Sequence, residues 1–400
     1  MVPRPVRLLL VAILAAGSLL WVGCSSSDST TAPDPPADEE EQSTGPALSL
    51  LYATDNGALV HHNAQVSASD TLGANIESSG ARAVSPSGRH LAFSYATADS
   101  SRLALFDLTD GTLQPVHARA GAGVYSLAWH PEDDRLAFGV YTPTDEDGRG
   151  PGTIRVATPD GTSRSVGCSA AREVLDWLPG GDLATRNDDN LFVVSPSDCA
   201  TQATGDARRM HDAAYAPTGT RLAYLHRELD YDPSAGEYVP DSSLYLSDAR
   251  LQNTTEVLGP DRRPRHLQWG PEGSELALDV HTEESGHRQI VVYRNSADRT
   301  VYLTPPAQTR ANQTHPRWSP DANFVAFTQG QGADAQAAVR TQGQTRPLGP
   351  VDGAAWGWTG PRTLIVPGPD SLRALTPDGT TRSTHPAPAL LIHAWERSPS

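Results

Sequence analysis

Apolar residues in this chain come in short runs, and the sharpest of them follows an aromatic residue and a turn. From His315 to Phe327 the sequence reads H-P-R-W-S-P-D-A-N-F-V-A-F. Trp318 ends a short extended segment. Pro320 and Asp321 open a tight turn, since proline presets φ for the second turn position. Phe324-Val325-Ala326-Phe327 then resumes as an apolar strand. The pattern predicts a β-hairpin.

The hairpin recurs. Val84-Ser85-Pro86-Ser87-Gly88 leads into Leu91-Ala92-Phe93, and Trp129-His130-Pro131 into Leu136-Ala137-Phe138. Trp177-Leu178-Pro179-Gly180-Gly181 leads into Leu183-Ala184, and Tyr215-Ala216-Pro217-Thr218-Gly219 into Leu222-Ala223-Tyr224. Trp269-Gly270-Pro271-Glu272-Gly273 leads into Leu276-Ala277-Leu278. A last copy, Trp356-Gly357-Trp358 into Leu364-Ile365-Val366, lacks the turn proline. Successive turn prolines lie 45, 48, 38, 54 and 49 residues apart. Strand-rich units at this period predict an all-β fold, a β-propeller with one blade per repeat.

On these residues the repeats resemble the W-S-P-D-G-x-x-[LI]-A-[FY] units of TolB-like propellers, the PD40 branch of WD40-like repeats. Trp318-Ser319-Pro320-Asp321 with Val325-Ala326-Phe327 is the nearest match, and the resemblance spans residues 48–398. It implies a scaffold or receptor role, although such propellers also serve as enzyme domains. The repeats follow directly on a polar stretch, without the separate α/β domain of TolB, so the TolB partner set is not implied.

Each repeat is expected to give four antiparallel strands, A to D from the inside out. In the copy at Trp269 these are His266 to Trp269, Leu276 to Val280, Gln289 to Tyr293 and Arg299 to Thr304. Asp110-Gly111, Asp160-Gly161 and Asp378-Gly379 mark tight C–D turns. Residues 48–75 supply strands like B, C and D with no A before them. Leu391-Ile392-His393-Ala394-Trp395 looks like an A strand with no B after it. The economical reading is a ring closed by the C-terminal strand joining the N-terminal blade. This predicts eight blades. Seven is the alternative, if the copy at Trp177 or Trp356 is not a full blade.

Residues 1–24 read as a targeting segment. Arg4 and Arg7 precede a 15-residue apolar run, Leu8 to Val22, too short for a membrane span. Gly23-Cys24 and a serine run follow, which resembles a bacterial lipoprotein signal with Cys24 as the lipidated residue. Trp21 departs from that pattern, where leucine is usual, and cleavage without a lipid is the alternative. Residues 25–47 are rich in Ser, Thr, Asp, Pro and Glu and read as a disordered tether. The resulting expectation is a cell-envelope protein, lipid-anchored and, with Ser25 after the cysteine, at the outer membrane facing periplasm or exterior.

The net charge is −16, from 31 basic and 47 acidic residues, and every basic residue is arginine. Such a chain argues against nucleic acid and anionic headgroups as partners. Cys168 and Cys199 remain after Cys24 and form a possible disulfide in an exported protein. Two separate buried thiols are the alternative.

Motifs of catalysis are sparse. The chain has no G-x-S-x-G elbow, no H-E-x-x-H, no P-loop and no zinc spacing, so no cofactor is expected. Asp145-Glu146-Asp147-Gly148 lacks regular calcium-ligand spacing and reads as a solvated loop. The topology points elsewhere. The B–C connections are long at Tyr141 to Gly152, His226 to Asp241, His281 to Arg288 and Gln329 to Ala335. Insertions on one face of a repeat protein usually mark its binding face, and Tyr231 and Tyr238 offer stacking there; neutral drift of exposed loops is the plain alternative. On the same face, where strands A begin, lie Arg82, Arg172, Arg208, Arg209, His211, Arg265, His266, His315, Arg317 and His393. These suit an anionic or polar ligand, or an acidic partner segment, and the histidines also suit a metal. Pairing with surface carboxylates is the plain alternative. The first hypothesis is therefore a non-catalytic binding or scaffold propeller for protein or glycan. The second is a propeller-type lyase or hydrolase acting on an acidic polysaccharide.

Overall fold

The fold is described from a computed structural model. It describes residues 47–63, 68–73, 76–120, 123–141, 152–166, 172–206, 208–232, 237–295, 299–303, 311–341, 343–351, 357–368, 371–386, 388 and 390–397. The targeting segment, Cys24, the tether up to residue 46, Cys168, Trp356 and most of the Tyr141–Gly152 connection lie outside the described residues.

Blade 1 holds β1 (Ala47–Ala53), β2 (Leu59–Asn63) and β3 (Ala68–Gly73). Blade 2 holds β4 (Ser78–Val84), β5 (His90–Thr97), β6 (Ser100–Asp107) and β7 (Leu113–Arg119). Blade 3 holds β8 (Gly123–Trp129), β9 (Leu136–Tyr141), β10 (Gly152–Ala157) and β11 (Ser163–Ser165). Blade 4 holds β12 (Glu173–Trp177), β13 (Leu183–Arg186), β14 (Asn190–Val194) and β15 (Thr201–Asp206). Blade 5 holds β16 (Met210–Tyr215), β17 (Arg221–Asp232), β18 (Glu237–Asp248) and β19 (Thr255–Leu258). Blade 6 holds β20 (Arg265–Trp269), β21 (Glu275–His281), β22 (Arg288–Arg294) and β23 (Arg299–Tyr302). Blade 7 holds β24 (Gln313–Trp318), β25 (Val325–Gln329), β26 (Gln336–Thr341) and β27 (Gln344–Pro350). Blade 8 holds β28 (Gly357–Gly360), β29 (Thr363–Pro367), β30 (Ser371–Leu375) and β31 (Thr381–Pro386). β32 (Leu390–Arg397) returns to blade 1.

The described strands form eight four-stranded antiparallel sheets, so the propeller has eight blades and not seven. β32 pairs with β1 from Ala47↔Arg397 to Ala53↔Leu390, which closes the ring as the unmatched ends suggest. The innermost strands touch in a complete cycle, β32 to β4, β8, β12, β16, β20, β24, β28 and back to β32.

Strands B and C are largely apolar because a blade is covered on both faces. In β21 the five residues Leu276 to Val280 are all buried. Their side chains build eight hydrophobic clusters among the described residues, one between each pair of neighbouring blades. Between blades 1 and 2, for example, Leu51 and Ile392 meet Phe93 and Phe106. The core is thus a ring of interfaces, as expected where each unit packs only on its neighbours.

The repeated turns hold themselves together. Ser319 Oγ donates to Asp321 Oδ1 at 2.6 Å and accepts from Phe324 N at 3.0 Å. Asp321 Oδ1 also accepts from Asn323 N at 3.2 Å, so serine and aspartate each cap a backbone donor of the turn. In the C–D turns Gly111, Gly161 and Gly379 take φ of 78°, 81° and 86°, the left-handed region that Asp-Gly turns require.

One connection differs from expectation. His226 to Asp241 reads as a loop, yet β17 and β18 continue to pair through Asp232↔Glu237. Six residue pairs beyond His226 make a two-stranded ribbon about 20 Å long at ~3.4 Å per residue. Strand-forming residues such as Leu229, Tyr231, Tyr238 and Val239 favour the pairing. Pro240 is tolerated because β19 pairs with β18 only at residues 244–246, which leaves an open edge at 240.

Candidate binding site at the channel mouth

The inner strands are not regular. β16, β20 and β24 each slip register near their start, between His211 and Ala213, Arg265 and Gln268, and Thr314 and Arg317. Inside these bulges Asp212, His266 and His315 have φ of 51°, 54° and 56°. The three occupy the same repeat position, three residues before Tyr215, Trp269 and Trp318. A left-handed non-glycine residue is strained, and bulges redirect side chains. Three successive blades carry that strain at one position of the channel wall.

His266 and His315 use it to stack, with ring centroids 3.8 Å apart and planes tilted by 31°. His266 Nδ1 lies 2.6 Å from Asp279 Oδ1, and Asp279 is fully buried on β21. The other Asp279 oxygen takes the Arg288 Nε–H. Arg288 is fixed further by donating to the Arg263 carbonyl at 2.6 Å, while its backbone N–H donates to Asn312 Oδ1 at 2.8 Å. His315 has Thr314 Oγ1 at 3.1 Å. Burial, the His266 imidazole and the Arg317 guanidinium hold His315 below the usual histidine range. Asp212 accepts from Leu267 N at 3.2 Å, which ties blade 5 to blade 6 beside the pair.

A second group gathers across blades 1, 2, 7 and 8. Arg82 donates to the Ile392 carbonyl at 2.6 Å. Burial and Arg317 pull its guanidinium below the ordinary arginine value. Arg317 is likewise lowered by burial, and Asp212 offsets part of this. Arg317 donates to its neighbour's carbonyl, Pro316 O, at 3.3 Å. Neither guanidinium has a carboxylate within ion-pair distance among the described residues. Burial and Arg82 push His393 down to about 4, so it is neutral in the fold at pH 7. Arg82, His393, Trp358 and Ile365 help line a cavity of about 170 Å³.

Of the remaining candidates, Arg265 borders the histidine group and the others join neither group. Arg172 pairs with Asp188 at 2.7 Å, and Arg208 pairs with Asp206 at 3.0 Å in the open. Arg209 is exposed, and its carbonyl accepts from Arg227 N. His211 Nε2 lies 3.4 Å from Ser242 Oγ. Arg265 sits beside Arg288, and burial followed by that like charge lowers it. For Arg172 and Arg208, local carboxylates account for the charge. Tyr231 and Tyr238 are register partners on the ribbon. Among the described residues no group of three or more His, Cys, Asp or Glu side chains could hold a metal ion.

Four residues, Gln268, Asp279, Arg288 and Asp176, carry no motif that singles them out. Gln268 Oε1 accepts from Trp318 N at 3.0 Å, and Asp279 and Arg288 support the histidine pair. Asp176 lies on β12, where its carboxylate accepts from Trp177 N at 2.8 Å. Burial pushes Asp176 up to about 6. Its position directly before the repeat tryptophan, the same as Gln268 and Arg317, is the one signal that could have found it.

Among the described residues no helix is long and apolar enough to cross a membrane. No protein-family model and no curated protein matches the chain. Among solved structures, it is similar to an oligogalacturonate lyase in complex with manganese. That match has 16% identity, covers 83% of this chain and 93% of the other, and has a TM-score of 0.51. A eukaryotic initiation factor matches at 13% identity, with 88% and 98% covered and a TM-score of 0.51. TolB from Acinetobacter baumannii matches at 12% identity, with 87% and 82% covered and a TM-score of 0.42. Identities this low speak for the fold alone: the chain is an eight-bladed β-propeller.

Proposed function

We propose that this is a cell-envelope binding or scaffold propeller, held to the membrane through Cys24. Its protein or glycan partner inserts a carboxylate-bearing segment at the channel mouth, on the face of the long B–C connections. The observation that carries this reading is the pair Arg82 and Arg317. In an acidic chain arginines are readily neutralised, and Arg89, Arg135, Arg186, Arg294 and Arg382 each have a carboxylate partner. Two inner-strand guanidiniums, Arg82 exposed and Arg317 half-buried, have none among the described residues and are matched to a carboxylate brought by a ligand, which a guanidinium binds through two parallel N–H donors. The net charge of −16 repels a long polyanion, so the inserted segment is short.

Titration calorimetry with hexaglutamate and with a galacturonate tetramer tests this. Arg82→Gln/Arg317→Gln should weaken binding by at least about tenfold, the loss of roughly one charged hydrogen bond, with an unchanged melting curve. Peptide binding alone marks a protein partner, and uronate binding alone a glycan. Equal binding by the double variant would overturn the reading. Replacing residues 228–241 with a Gly-Gly turn should keep the fold and weaken binding; loss of binding only on changing the Pro320-Asp321 turn would put the site on the opposite face. Cys24→Ser should release the protein from membranes, and continued membrane association would refute the anchor.

A second reading, a lyase or hydrolase of acidic polysaccharide, has one observation in its favour. Asp279 holds His266 by Nδ1, which leaves Nε2 as a proton acceptor in an accessible side chain. New double bonds or reducing ends released from polygalacturonate, and lost in His266→Gln, would favour it over the binding reading.

A further inference from the structure

We propose that the stacked His266–His315 pair couples ligand binding to proton uptake, so that the channel mouth grips a carboxylate more tightly as the pH falls. This rests on the carboxylate-binding reading and assigns its regulation.

The two imidazoles are in contact, and only His266 has a carboxylate, Asp279, on its Nδ1. Asp279 is itself shared with Arg288, so its charge is already matched before His315 is considered. His315 faces cationic or protonatable neighbours: His266 on β20, and Arg317 on its own strand. Asp279 on β21 is the acid that reaches it, from behind His266. Arg265 and Arg263 add positive charge on the β20 side, and Asp212 on β16 acts on Arg317. Without ligand, a proton on His315 therefore adds a cation to a partly exposed group that already holds cations. A carboxylate seated near Arg317 reverses that balance and favours the imidazolium. Binding and protonation are then linked, and each strengthens the other.

The strained backbone supports a role beyond packing. His266 and His315 both hold left-handed conformations that asparagine or glycine would adopt more readily. The stack places two histidines of neighbouring blades together at a position where Ser126 and Val174 of blades 3 and 4 avoid the strain.

Calorimetry with hexaglutamate in two buffers of different ionisation enthalpy provides the test. Affinity should rise at least fivefold from about pH 7.5 to about pH 5.5, with close to one proton taken up per peptide. The peptide's own carboxylates begin to protonate toward the lower pH and act in the opposite direction, so the sign is diagnostic. His315→Asn, which suits a positive φ, should lose the rise. In parallel, the His315 imidazole followed by NMR should titrate at higher pH when peptide is bound. Flat affinity in the wild type, with binding still lost in the double arginine variant, overturns the proton coupling and leaves the carboxylate reading standing. A rise that persists in His315→Asn also overturns it. No binding of hexaglutamate at either pH overturns the coupling together with the peptide form of the carboxylate reading.

Discussion

The indole N–H of Trp177 donates to the carbonyl of Ala128, one blade earlier, at 3.0 Å. The bond repeats around the ring: Trp129 to Ala83 at 2.9 Å, Trp269 to Ala214 at 2.9 Å and Trp358 to Arg317 at 3.0 Å. Each acceptor is the inner-strand residue just before the repeat position that is Trp129, Tyr215 or Trp318 in three of the preceding blades and Val84 in the fourth. The repeated tryptophan thus does two things. Its ring fills the inter-blade cluster, and its one polar atom ties neighbouring inner strands together.

Trp177→Phe should therefore destabilise the ring by about 2 kcal/mol, from the lost hydrogen bond, the orphaned Ala128 carbonyl and a small void. Trp318 is the control, because its buried Nε1 finds no acceptor. Trp318→Phe should cost clearly less. Thermal melts of both variants, compared at one pH, measure the difference, and equal losses would refute the role given to the indole N–H.

Ring closure by β32 makes a second prediction. Ile392 is fully buried in the cluster between blades 1 and 2, and Trp395 packs in the same layer. Ile392→Ala should cost about 2–5 kcal/mol. Removing residues 391–400 should cost far more, since it uncovers the edge of β1 and opens the ring. A truncated protein with an unchanged melting curve would show that the closing strand contributes nothing to stability.

Asp176 and His393 predict opposite pH dependences. Burial raises Asp176 from 3.8 to about 6, so between these values the fold holds the proton more tightly than the unfolded chain does. Stability from this group is gained as pH falls through about 6, and above it the charged carboxylate is a cost. Asp176→Asn should stabilise the protein by roughly 1–3 kcal/mol near pH 8, and the gain should vanish below about pH 4. His393 is lowered from 6.5 to about 4, so the unfolded chain takes its proton first and stability is lost as pH falls across that window. His393→Gln should flatten that acid-side loss. Melting temperature against pH for the two variants checks both signs.

Cys199 is disulfide-bonded, and its Sγ lies 2.9 Å from the Val166 carbonyl, two residues before Cys168. We expect a Cys168–Cys199 bond joining the end of blade 3 to the C–D turn of blade 4. Reduction, or Cys199→Ser, should lower stability by about 2–4 kcal/mol. Peptide mapping without reductant identifies the partner, and a bond from Cys199 to Cys24 would overturn the assignment.

Much of the architecture is written in local chemistry. Ser319, Pro320 and Asp321 make their turn with bonds among themselves, so the turn is legible wherever its residues recur. Apolar runs such as Val325 to Phe327 announce strands covered on both faces. The unmatched strands at the two ends of the repeat array foretell the pairing of β1 with β32, because an open edge at each end has one economical solution. Blade count and closure follow from these local signals.

The site does not. Arg82 and Arg317 stand on blades 2 and 7, and only the curvature of the closed ring brings their charges within reach of each other. His266 meets His315 because both inner strands bulge into left-handed backbone, a strain that neither residue favours and no local pattern encodes. The same blindness turned a ribbon into an expected loop and hid Asp279, which reads in sequence as one more acid in an acidic chain. Hairpins are decided by neighbours along the chain; the channel mouth is decided by packing between blades, where electrostatics depends on distances that only the closed ring sets.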